Sequence, residues 1–412
     1  MVPKKIIIVG AGMVGMSVAY QLKNRFPDIN ITILEKEKSV GMHSSGRNSG
    51  VLHAGIYYKP GTLKAKVCVD GAKRLKKFCE LNNISVYNCG KVIVPQSENL
   101  DSQLDVLFKR GKSNGAQVEL ITKKQLFDRA PDSESSSERA IWSPNTSVVN
   151  PKEVISCLKN NLEEKNVKFI FGCKIYKIID SERKIFFKNY ISDSKIYSEF
   201  LKYDYFFNCA GLQTDSVAHL MGVGKEFKIL PFKGIYWDLI DNSPLRINTN
   251  IYPVPDLNVP FLGVHATPSP SGKVSFGPTA IPALGKENYK LFEAIEPLMS
   301  IDFFKELVFQ FALNKNGFRK YAFEQAFLGI KPLFLDSAKK IIPNLRSDYL
   351  IPSKKVGIRA QLFDKRTRRL VDDFLIEKTD NSLHVLNCIS PAFTASFSLA
   401  DLIIAKTNTF DI

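Results

Sequence analysis

Residues 4–35 constrain the fold more than any other stretch of the chain. Lys4-Lys5-Ile6-Ile7-Ile8-Val9 is an apolar, β-branched run that reads as a buried strand. Gly10-Ala11-Gly12-Met13-Val14-Gly15 follows, then a helical stretch from Met16 to Asn24, stopped by Pro27-Asp28. Ile29-Asn30-Ile31-Thr32-Ile33-Leu34-Glu35 is a second strand. Strand, glycine-rich turn, helix and strand in about 30 residues form a dinucleotide-binding βαβ unit. One glycine makes the turn, one lets the backbone approach a pyrophosphate, and one lets the helix pack on the strand. The unpaired N–H groups at the helix start then meet the phosphates. Glu35, ending the second strand, suits both ribose hydroxyls and disfavours a 2′-phosphate. On this unit alone, FAD and NAD both stay open.

Ile6 to Leu22 carries no charge over 17 residues, but its three glycines fit a strand-to-helix break better than a membrane span. The whole chain, 412 residues with 44% apolar and 24% charged, has the profile of a globular protein of two domains. Its seven cysteines include no C-x-x-C, and its five histidines no metal-ligand spacing, so neither a disulfide framework nor a metal site is expected. The net charge of +16 suits anionic partners, and no nucleic-acid motif accompanies it. A reducing, cytoplasmic setting is expected, with room for peripheral contact at the inner membrane.

Beyond the first unit, Ser39 to Pro60 is a loop rich in Gly, Ser and Asn, a length usually kept for function. Val86 to Pro95 reads as a strand pair, and Pro131 to Pro144 as irregular. Ile185 to Leu201 reads as a hairpin, and Glu287 to Leu313 as helical. Tyr205-Phe206-Phe207-Asn208-Cys209-Ala210-Gly211 is a late apolar strand ending in Ala-Gly, which brings backbone against the same nucleotide. With the first motif it points to FAD. From about Val223 to Leu345, short aromatic strands alternate with Pro-rich turns, as in an antiparallel sheet.

The loop His43-Ser44-Ser45-Gly46-Arg47-Asn48-Ser49-Gly50-Val51-Leu52-His53-Ala54-Gly55-Ile56-Tyr57-Tyr58 resembles that of the L-2-hydroxyglutarate dehydrogenases/oxidases, within the D-amino-acid-oxidase-like flavoproteins. Lys59-Pro60-Gly61-Thr62, Tyr252-Pro253-Val254-Pro255, Pro260-Phe261-Leu262-Gly263-Val264-His265, Gly357-Ile358-Arg359-Ala360-Gln361, Leu370-Val371-Asp372-Asp373-Phe374 and Ser390-Pro391-Ala392-Phe393-Thr394 continue the match along nearly the whole chain.

The resemblance implies an α/β fold: a discontinuous Rossmann-type FAD-binding domain with a mixed or antiparallel-sheet substrate domain. The expected boundaries are 1–80, 150–222 and 346–412 for the first, and 81–149 and 223–345 for the second. It implies that Gly10, Gly12, Gly15, Glu35 and Lys36 bind FAD, with Ser44, Ser45 and Asn48 from the loop, Gly211, and Thr394 at the closing helix. The family holds FAD noncovalently, although His43 lies where some related flavoenzymes attach it. Arg359 would pair with the carboxylate beside the reacting carbon, a task suited to a planar guanidinium. His53 and His265 are the candidates for the base that takes the hydroxyl proton. Lys233, Tyr57 and Tyr252 are candidates for a second carboxylate, and Ile235 stands where the family usually carries an acid.

The implied reaction is oxidation of L-2-hydroxyglutarate to 2-oxoglutarate by hydride transfer to flavin N5, with electrons passed on to oxygen or a quinone. The alternative is another small anionic substrate, an amino acid or glycerol 3-phosphate. Lys365-Arg366-Thr367-Arg368-Arg369 is a basic turn that would suit an anionic membrane surface.

Overall fold

The computed structural model describes residues 2–190, 197–255, 257, 262–314, 319, 325 and 328–410. The opening βαβ unit is Lys5–Val9, Met13–Arg25 and Asn30–Leu34. It lies inside a six-stranded sheet ordered 375–378, 382–387, 205–208, 5–9, 30–34, 168–170, parallel except at the 375–378 edge. Strand parity explains the unbroken apolar run of the first strand. Ile6 and Ile8 pack with the helices Met13–Arg25, Leu63–Leu81 and Ala392–Ala405. Ile7 and Val9 pack on the opposite face, against the meander Cys173–Ile179, Lys184–Asn189 and Tyr197–Lys202. A strand covered on both sides needs apolar residues at every position.

The second layer is a ten-stranded, mostly antiparallel sheet. Its spine is the pair Phe227–Leu239 and Leu350–Asp364, paired from Phe227↔Asp364 to Leu239↔Leu350 with one register shift between Ile235 and Trp237. Here the sequence division needs correcting. The stretch 346–412 was expected in the nucleotide-binding unit, yet its first strand crosses into the second sheet. The reason is long-range pairing along the whole of 227–239, which local pattern does not carry. The chain returns to the first sheet at Leu375–Lys378.

Two local readings also change. Val86–Tyr87 and Lys91–Val94 do not pair with each other: the first joins Ser147–Val149, the second joins Arg139–Ser143 and Asn250–Pro253. Arg139–Ser143, read as part of an irregular stretch, is itself a strand, held by buried Ala140 and Ile141. The helix expected from Glu287 starts at Pro297, a residue that suits a first helical turn. The 185–201 hairpin is in place at both ends, and its tip at 191–196, like 258–261 of the Pro260-Phe261 block, lies outside the described residues.

Candidate active site

A cavity of about 730 Å³ runs between the two layers. At one end it meets the turn after the first strand. Gly10 has φ +103°, and a Cβ there would lie 2.4 Å from the Cys209 carbonyl oxygen. That contact joins the first strand end to the Cys209-Ala210 strand end, so the two motifs read separately in the sequence form one wall. Gly15 does not line the cavity; it lies under the turn, its Cβ position 2.2 Å from Gly10 O.

Polar side chains then fix the loop ends. The Glu35 carboxylate accepts from Ala11 N at 2.8 Å and Glu37 N at 3.0 Å, and the residue lines the cavity. Ser45 Oγ accepts from Met13 N at 2.9 Å, so the loop covers the start of the first helix. Ser44 Oγ donates to Ile358 O at 2.8 Å, which ties the loop to the second sheet. Asn48 donates to Ser45 O at 2.6 Å and accepts from Gly50 N at 2.8 Å. Thr394 Oγ1 donates to Val51 O at 3.1 Å and accepts from His53 N at 3.2 Å, which brings the start of helix Ala392–Ala405 to the cavity.

These features fit a flavin dinucleotide. Two helix starts face one cavity, one at the glycine turn and one at Pro391-Ala392-Phe393-Thr394. The first suits a pyrophosphate, and the second suits a ring that gains negative charge on reduction. Gly12, Lys36 and Gly211 also line it. Lys36 Nζ sits between Glu37 at 2.5 Å and Glu287 at 2.7 Å. His43 joins that group through Glu37 at 2.9 Å, with Tyr289 Oη on its other nitrogen at 2.7 Å. Ligand atoms of Glu37, His43 and Glu287 lie within 4.8 Å of one another, but the Lys36 ammonium already holds the place a cation would take.

Toward the second sheet the chemistry changes. Arg359, His53, His265 and Tyr252 line this end. Arg359 Nε donates to Gln361 Oε1 at 3.2 Å, and Gln361 is itself fixed by Val371 O at 2.8 Å. His265 Nδ1 contacts Gly263 O at 2.8 Å; a carbonyl only accepts, so Nδ1 carries the proton and Nε2 the lone pair. His53 Nε2 lies 3.5 Å from Ser390 Oγ. Burial lowers the His53 pKa to about 3, with Lys91 and His265 pushing the same way. Burial likewise lowers His265 to about 4, opposed by the Gly263 bond and aided by Lys91. Both imidazoles are therefore neutral at physiological pH, the state a base requires.

The structure leaves two of the expected substrate residues out of the cavity wall. Lys233 shares its strand with cavity-lining Phe232 and Gly234, so alternation turns it to the other face, where Nζ donates to Asn288 Oδ1 at 2.7 Å. Tyr57 lies behind the wall, stacked on Tyr252 with ring centroids 6.5 Å apart. One residue went unremarked in the sequence: Lys91, fully buried beside both tyrosines. Its signal was a lone charge inside the apolar strand Lys91-Val92-Ile93-Val94.

The family model described as "FAD dependent oxidoreductase" matches residues 5–406. The chain is 35% identical to the mitochondrial L-2-hydroxyglutarate dehydrogenase of Caenorhabditis briggsae, over 98% of this chain and 93% of that one. It is 35% identical to the L-2-hydroxyglutarate dehydrogenase of Indibacter alkaliphilus (96% of each chain) and 31% identical to that of Escherichia coli K12 (98% and 93%). Among solved structures it is similar to FAD-bound L-alpha-glycerophosphate oxidase from Mycoplasma pneumoniae, with TM-score 0.70, 21% identity, and 98% and 94% of the two chains covered. It is also similar to glycine oxidase from Geobacillus kaustophilus, with TM-score 0.70, 14% identity and the same coverage.

Proposed function

Because the chain belongs to the family of FAD dependent oxidoreductases, we propose that it oxidises L-2-hydroxyglutarate to 2-oxoglutarate. The substrate is carried by one observation: relatives from a worm to bacteria share that name and 31–35% identity along nearly the whole chain. The cavity supports the reading. Bound FAD supplies the acceptor for the hydride that leaves C2. Arg359 grips the neighbouring carboxylate and fixes which face of C2 is presented. A neutral imidazole takes the hydroxyl proton as the ketone forms; His265, with its tautomer set by Gly263, and His53, beside the closing helix, both suit the task. Residues 1–80 and 150–222, with the chain after 364, form the FAD-binding unit, and the rest forms the substrate unit.

Anaerobic mixing of the holoenzyme with L-2-hydroxyglutarate should bleach the flavin. The rate should stay flat between about pH 5 and 7.5, because neither imidazole gains a proton in that window. A flavin bleached by an amino acid or glycerol 3-phosphate, and untouched by L-2-hydroxyglutarate, would sink the reading.

The electrons leave for a quinone at an anionic membrane, in our reading, rather than for oxygen. Among the described residues no helix is long and apolar enough to cross a membrane. Helix Pro297–Leu313 instead exposes Leu298 (85%), Ile301 (54%), Phe304 (47%) and Val308 (68%), spaced by three or four residues on one face. The basic turn packs beside it: the Arg368 guanidinium lies 3.3 Å from the Phe309 ring centroid, and Gln310 donates to Arg368 O at 2.7 Å. Lys365, Arg366 and Arg369 are exposed there. An apolar face rimmed by cations suits the headgroup layer of anionic lipid. Cosedimentation with phosphatidylglycerol vesicles should exceed that with phosphatidylcholine, and L298E/V308E should lose about tenfold or more. Equal sedimentation with both lipids, or a dimer that the double variant splits, would count against a membrane on this face.

A further inference from the structure

Four polar atoms behind the second-sheet end of the cavity are buried without a hydrogen-bond partner: His53 Nδ1, Tyr57 Oη, Lys91 Nζ and Tyr252 Oη. They are neighbours. Lys91 Nζ lies 4.8 Å from the Tyr57 ring centroid and 5.0 Å from that of Tyr252. Tyr252 in turn stacks on His265 at 3.9 Å between centroids. Thr267 Oγ1 is beside Tyr252 Oη, but neither atom closes a bond of normal geometry.

Among the described residues no ionised acid balances the Lys91 charge. The titratable groups facing it are His53 and His265 from the cavity, Tyr57 and Tyr252 at its sides, and Cys68 from helix Leu63–Leu81. Both imidazoles are neutral, burial pushes both phenols up, and burial pushes the thiol to about 12. Burial, opposed by Cys68, pulls the Lys91 pKa down to about 8, which leaves it mostly charged at pH 7. A buried ammonium with no counter-charge among the described residues, beside two tyrosine rings whose hydroxyls lack a partner, attracts an anion.

We propose that the Lys91 charge, acting through the Tyr252 wall, draws the distal carboxylate of the substrate to this end of the cavity and thereby selects a dicarboxylate over a 2-hydroxy monocarboxylate. The proposal rests on the reading that this cavity oxidises L-2-hydroxyglutarate. Tyr252 supplies the wall the carboxylate meets, and Lys91 supplies the charge one ring behind it. The two carboxylates then have separate anchors on separate strands, Arg359 on 350–364 and Lys91 on 91–94.

The arrangement also couples recognition to chemistry. The Lys91 charge opposes protonation of either imidazole. A distal carboxylate cancels that field as the substrate binds, so the dicarboxylate eases removal of its own hydroxyl proton. A monocarboxylate carries no such compensation.

The test is anaerobic flavin reduction in wild-type holoenzyme and Lys91→Met, with L-2-hydroxyglutarate and L-2-hydroxypentanoate. Lys91→Met should lower the ratio of rate constant to Kd by about 10²- to 10³-fold for the dicarboxylate. For the monocarboxylate the change should stay within about threefold or favour the variant, since no charged partner is lost. If Lys91→Met does not fold, Tyr252→Phe should show the same asymmetry at about tenfold. Equal losses for both substrates, or none for either, overturn the Lys91 assignment while the parent reading survives. Wild-type flavin that L-2-hydroxyglutarate does not reduce overturns the parent reading, and this one with it.

Discussion

Arg359→Met purifies yellow and is not reduced by substrate: that is the expected result for the first large-effect variant. Arg359 belongs to the second sheet, away from the glycine turn and the Ser44-Ser45 loop contacts, so flavin should be retained. Its guanidinium is held in place by Gln361, a fully buried side chain fixed in turn by Val371 O. Methionine keeps the length and apolar stem but presents no donor. The carboxylate then loses a charged, two-pronged partner, and C2 loses its fixed approach to the flavin. Misplacement alone costs about 10²-fold, and with the lost charge pairing the reduction rate should fall about 10³-fold. Arg359→Lys should recover little of this, because an ammonium cannot reproduce the planar fork. Stopped-flow reduction decides it. Wild-type kinetics in the methionine variant would remove Arg359 from substrate binding, and a colourless variant would place it in flavin binding instead.

The second large effect comes from a substitution that local propensity favours. Gly15 lies in the first turn of helix Met13–Arg25, where helix propensity favours Ala over Gly by up to about 1 kcal/mol. Geometry opposes this with a larger penalty. The new Cβ would sit 2.2 Å from the Gly10 carbonyl oxygen, and both partners are backbone that no rotamer change can move. The helix must shift off the strand, and its N-terminus leaves the position at which it faces a pyrophosphate. Gly15→Ala should therefore purify with little or no flavin and a lowered Tm. Gly61→Ala is the control: it carries φ +87° but its Cβ meets nothing within 4 Å, so only backbone strain of about 1–3 kcal/mol applies. A Gly15→Ala protein with a full complement of flavin would show that the helix start tolerates displacement.

The nucleotide end of the site was readable because its constraints are local. A strand, a turn whose Gly15 packs on the Gly10 carbonyl and a carboxylate 20 residues beyond Gly15 all lie within one short stretch of chain, and the structure assembles them as one unit. The substrate end was readable only as a set of candidates. Lys233 illustrates the limit. Alternation says that one of Lys233 and its neighbours faces the cavity, but which parity does so depends on the sheet's orientation, and Phe232 and Gly234 face it instead. Lys91 is the converse case, a charge in an apolar strand that becomes meaningful only beside Tyr57 and Tyr252.

By itself, then, the sequence determined the glycine turn, the two-sided burial of the first strand and the kind of cofactor, because steric exclusion and strand parity act between residues adjacent in the chain. Tertiary structure alone decided that Leu350–Asp364 joins the second sheet, that His53 and His265 share a cavity although 212 positions apart, and that Lys91 lies buried with no counter-charge among the described residues. Each of those depends on pairing between distant segments, whose partners are chosen by the packing of the whole molecule rather than by any local pattern.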